Sequence, residues 1–128
     1  MGDNAHQEVP VKYMLLIYQG TTPLPGTPEW DALPEAEQGA VYAAYQALNQ
    51  TPGMTPGHGM ESPETATTVR VQDGRTLTTD GPFAEIKEAI GGYCVLEAED
   101  LDAAIEVAAK IPAARMGGGI EVRPIKEW

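Results

Sequence analysis

Two hydrophobic rhythms alternate along this chain, and their order lays out its elements. From Val11 to Tyr18 both sides of an extended segment are apolar. Val11, Tyr13, Leu15 and Ile17 fall on one side, and Met14, Leu16 and Tyr18 on the other. A strand wetted on one face alternates more cleanly, so this one is expected at the centre of a sheet and covered twice. Gly91–Ala98 repeats the pattern, with Tyr93, Val95 and Glu97 opposed to Cys94, Leu96 and Ala98. Between them, Val69 and Val71 alternate with Thr68, Arg70 and Gln72, the period of a half-buried strand. Asp73-Gly74 is a two-residue hairpin signal, because a type I′ turn demands positive φ. Leu77 with Thr76, Thr78 and Thr79 makes the return strand, and Asp80-Gly81-Pro82-Phe83 ends it.

Helical spacing appears twice. Pro34 suits a first turn, and Glu35 and Glu37 favour the positive end of a helix running to about Asn49. Val41, Ala44, Tyr45 and Leu48 form its buried stripe. Asp100 is a good N-cap for a second helix over Leu101–Lys110. Its stripe is Leu101, Ala104, Ile105, Ala108 and Ile111, and Pro112 stops it. Ile120–Ile125 is the last strand, with Ile120 and Val122 inward and Pro124 confining it to an edge. Gln19–Leu33 and Thr51–Pro63 are loops by their Pro and Gly content. The first holds Trp30, read as a lid over the first helix, and the second allows a brief edge strand near His58–Glu61. Ala84–Ile90 is expected to be a single turn.

The order is strand, helix, hairpin, strand, helix, strand. It predicts an α+β domain with a ferredoxin-like antiparallel sheet and two helices on one face. The helices cover one sheet face only. A second copy of the sheet is the simplest cover for the other, so a homodimer is expected.

Composition narrows the functions open to such a fold. The chain has 128 residues and 42% hydrophobic residues, enough for one domain with a modest core. A net charge of −11 repels phosphate backbones and argues against nucleic acid as a partner. One cysteine and two histidines give no metal-ligand spacing. Cys94, set in an apolar run, reads as a small buried hydrophobe. No apolar run reaches a membrane span, and no signal peptide is evident, so a cytoplasmic protein is expected. Residues 1–10 read as a disordered or added segment before a single domain over 11–128.

Asp80 is the sharpest chemical candidate, since Gly81 and Pro82 can hold its carboxylate at a cleft mouth. The competing reading is that its oxygens only build the turn. His58 lies between Gly57 and Gly59, where a ligand can come close. A histidine oriented by a carboxylate such as Asp80 or Glu61 can move protons near neutral pH. Arg70 and Arg115 can receive an anionic group. Phe83, Tyr18 and Tyr93 are candidates to line a cavity.

Several stretches together resemble the DGPF group of YCII-related proteins. They are Val11–Tyr18, Thr67–Val71, Thr79-Asp80-Gly81-Pro82-Phe83-Ala84-Glu85, Gly91-Gly92-Tyr93, Pro112–Arg115 and Glu121–Ile125. The resemblance implies a dimeric α+β barrel in which two ferredoxin-like sheets face each other, each beside a cleft. Its superfamily includes muconolactone isomerase-like enzymes, small monooxygenases and chlorite dismutase-like haem proteins. For YCII relatives it implies an enzymatic role through a His–Asp pair, while the DGPF group has no generally established reaction. The residues here suggest a cofactor-free lyase or isomerase using His58 and Asp80. The alternatives are a small-ligand-binding module without turnover, or a protein-interaction module linked to sigma-factor regulation. Relatives often carry a histidine directly after the residue matching Arg115, where this chain has Met116. Haem is not expected, because neither histidine sits on a strand or helix.

Overall fold

A computed structural model describes residues 10–80 and 89–127. The element order is β1 (Val11–Tyr18), α1 (Pro28–Asp31), α2 (Glu35–Asn49), β2 (Met54–Thr55), β3 (Thr67–Gln72), β4 (Arg75–Asp80), β5 (Ile90–Ala98), α3 (Leu101–Ala108) and β6 (Gly119–Pro124). Short 3₁₀ turns lie at Pro63–Thr65 and Pro112–Ala114. One sheet runs β2-β5-β1-β6 with every pairing antiparallel, the ferredoxin-like order. The two strands with apolar residues on both faces, β1 and β5, occupy its centre, with Leu15 opposite Cys94 and Leu16 opposite Tyr93. In the single chain this sheet is open rather than closed into a barrel.

The sheet faces divide as the alternation demands. Tyr13, Leu15 and Ile17 of β1 and Cys94 and Leu96 of β5 form the core with Leu48 of α2 and Ala104 of α3. Ile120 and Val122 of β6 pack against that cluster. The opposite face presents Met14, Leu16, Tyr18, Tyr93 and Val95, each half-buried.

Asp100 caps α3 as its residue type suggests, its carboxylate accepting from the Ala103 N–H at 2.9 Å. The stripe on α3 is narrower than periodicity indicates. Ala104 and Ala108 are buried, whereas Leu101 and Ile105 are 49% and 48% exposed. Spacing admits both faces; the two alanines form the buried one, and the larger side chains turn outward.

Trp30 belongs to α1, a single turn inside the first loop. The Thr27 hydroxyl accepts from the Trp30 N–H, and Pro28 fits the first turn. The indole is buried and meets Tyr42 of α2 edge-on, ring centres 5.4 Å apart, so it covers that helix.

Two other expectations change. The edge strand is Met54–Thr55, earlier than His58–Glu61, and the later segment contributes a lone bridge between Gly59 and Gly92. The β3–β4 hairpin is not half-buried. It forms its own two-stranded sheet, and Val69 and Val71 are 59% and 67% exposed. Alternation reveals a pleated strand but not whether anything lies opposite it. The turn itself agrees with its sequence: Asp73 and Gly74 have φ of 51° and 75°, both positive as a type I′ turn requires. The expected turn over Ala84–Ile90 lies outside the described residues up to Glu88, and Ile90 already begins β5.

Candidate functional site

After β2 the chain runs along the start of β5 as a ragged edge. The Tyr93 N–H donates to the His58 carbonyl at 3.3 Å, and the Met60 N–H to the Gly91 carbonyl at 2.8 Å. These bonds fix the backbone on both sides of Gly59. The close approach depends on bare backbone. A Cβ on Gly57 would fall on the Tyr93 carbonyl oxygen and lie 2.7 Å from the Tyr93 ring. One on Gly92 would lie 3.2 Å from the His58 carbonyl.

The same segment walls a cavity of about 230 Å³. Its apolar floor is Ile17, Leu48 and Cys94; Tyr45 and Asn49 enter from the last turns of α2, and Gln19 from the end of β1. Gly91 and Gly92 leave the β5 backbone uncovered beside it. His58 lines this cavity, and its imidazole packs against the Tyr93 ring, centres 6.0 Å apart and planes inclined by 64°.

The electrostatics favour neutral groups. Burial pushes the Cys94 thiol above its ordinary range. It does the same to the Tyr45 phenol, and the neighbouring Cys94 adds to that shift. Cys94 is thus a buried, neutral thiol within the core.

The sequence candidates separate. His58 and Tyr93 meet at the cavity. Asp80 closes β4 opposite Thr67 at the base of the hairpin and is exposed. Among the described residues no hydrogen bond or ion pair joins it to His58. Arg70 lies on β3 opposite Leu77, and Arg115 follows the Pro112–Ala114 turn. Tyr18 belongs to the face away from the helices, where its hydroxyl donates to Glu121 Oε1 at 2.8 Å and Glu121 Oε2 lies 3.4 Å from Arg123 Nε. Phe83 lies outside the described residues. Three polar lining residues escape sequence reasoning. Gln19 and Asn49 sit at element ends, where periodicity carries no signal, and Tyr45 reads as part of a helix stripe. Among the described residues, no three His, Cys, Asp or Glu side chains come together as a metal site would require. No described helix is long and apolar enough to cross a membrane.

A four-stranded antiparallel sheet backed by helices, with a glycine-walled cavity at the start of a central strand, defines a ferredoxin-like α+β domain. The chain belongs to the YCII-related family, whose domain model matches residues 11–128. It is also similar to an uncharacterised protein of Rhizobium meliloti (strain 1021), 39% identical over 61 residues. That match spans 47% of this chain and 49% of the length of the relative.

Proposed function

We propose that this protein is a cofactor-free small-molecule enzyme of the lyase or isomerase kind, with His58 as the group that moves a proton. The observation that carries this reading is His58 on the cavity wall, its imidazole against the Tyr93 ring and its carbonyl held by the Tyr93 N–H. A base of this type must reach a substrate proton directly, and a ring that makes no hydrogen bond to the described residues suits that task. Asp80 is its carboxylate partner in this reading. Asp80 pairs with Thr67, which residues 59–66 link to His58 along the chain. Met14, Leu16 and Val95 on the uncovered sheet face pack against a second copy, making the working form a homodimer.

Proton abstraction beside a carbonyl can be followed without knowing the natural substrate. The protein is incubated in D₂O with a panel of enolisable carbonyl compounds, and deuterium uptake at the α-carbon is read by NMR. Exchange catalysed by the wild-type chain should fall by about 10²-fold or more in His58→Ala, and also fall in Asp80→Asn, with folding intact by circular dichroism. Equal exchange in His58→Ala overturns the assignment. The lack of a direct contact between His58 and Asp80 in the single chain favours a second reading, a binding module without turnover. A ligand would then raise the melting temperature while no product forms.

A further inference from the structure

We infer that the His58 cavity takes an uncharged small molecule presenting a carbonyl, amide or hydroxyl edge, and turns away carboxylates. The inference rests on the reading of this cavity as the ligand site and specifies what that site accepts. Among the described residues, the lining contains no Lys, Arg, Asp or Glu. Its polar residues are Gln19 and Asn49 with their amides, Tyr45 and Tyr93 with their phenols, and His58 with its imidazole. Among the described residues none of these five side chains spends its hydrogen-bonding capacity on another protein group. They supply both donors and acceptors, which match a neutral polar edge and offer an anion no lysine or arginine countercharge.

A carboxylate held here would give up part of its hydration and meet no lysine or arginine in return. The surrounding charge adds to the exclusion, because the chain carries eight Lys and Arg against nineteen Asp and Glu. The apolar floor suits the body of a small ring. At about 230 Å³ the cavity lies below the usual range for drug-sized ligands, which confines the occupant to a compact molecule.

The test uses a matched pair of probes, benzamide and benzoate, which share a ring and differ in charge. Protein-observed NMR follows His58, Tyr93 and Asn49 as each probe is added to millimolar concentration. Benzamide should shift these residues saturably, with an affinity at least tenfold above that of benzoate. In Asn49→Lys, an exposed position that accepts a long side chain, benzoate affinity should rise at least tenfold. Benzoate binding to the wild-type cavity as tightly as benzamide overturns the charge selection while leaving the cavity as a ligand site. Unchanged benzoate affinity in Asn49→Lys, with folding intact, also overturns it. If neither probe shifts the lining residues, both this inference and the reading of the cavity fall.

Discussion

Gly57→Ala should destabilise this protein, whereas the same change at Gly39 should stabilise it. At Gly57 the new methyl would occupy the place of the Tyr93 carbonyl oxygen, and β5 is a central strand that cannot retreat. The Gly57–Met60 segment must therefore lift away. That movement gives up the Tyr93-to-His58 and Met60-to-Gly91 backbone bonds, at 3.3 and 2.8 Å. Two such bonds are worth about 1–3 kcal/mol. The stiffer unfolded chain returns about 0.4–1 kcal/mol. The net loss is on the order of 1–2 kcal/mol. With an unfolding entropy of about 2.1 cal/mol/K per residue over 128 residues, the melting temperature should fall by roughly 4–8 °C. At Gly39, inside α2, a Cβ meets no atom within 4 Å. Helix propensity alone should then raise stability by up to about 1 kcal/mol. Thermal melts followed by far-UV circular dichroism at one fixed protein concentration compare the three chains. A Gly57→Ala protein that melts at or above the wild type would refute the packing argument, and with it the backbone placement of His58.

Three further outcomes are expected. Leu96→Ala, in a side chain 1% exposed on the central strand β5, should cost about 2–5 kcal/mol in denaturant titration. Asp100→Ala removes the cap on the Ala103 N–H and should cost about 0.5–2 kcal/mol by the same measurement. Burial raises both Cys94 and Tyr45, so the unfolded chain gives up these protons first as pH climbs past about 8.5. The melting temperature should hold from neutrality to that point and decline above it, and Cys94→Ala should remove the thiol part of the decline.

The frame of this protein could be read before its coordinates because its strongest signals are local and redundant. Two strands with apolar residues on both sides had to be central. Asp73-Gly74 had to turn, and Asp100 had to cap. Burial was harder to read where one pattern fits two surroundings. Leu101 and Ile105 share a helical face with Ala104 and Ala108, and only the packing shows that the small residues go inward. Val69 and Val71 alternate as a covered strand would, yet no third strand joins them among the described residues. At the cavity, His58 stood out for its glycine neighbours and Tyr93 for its strand. Gln19 and Asn49 did not, because convergence from the ends of β1 and α2 is a property of the folded chain rather than of any window of sequence.

The separateness of β3 and β4 implies two tiers of stability within one chain. A two-stranded ribbon gains little from burial, and here nearly every position faces outward. It can open by itself, without melting the four-stranded sheet. Amide deuteration of the lone chain should therefore sweep through the ladder between β3 and β4 while the ladder between β1 and β5 stays protected. Heat or mild denaturant would release the tip first, as a tethered flap on a body still intact.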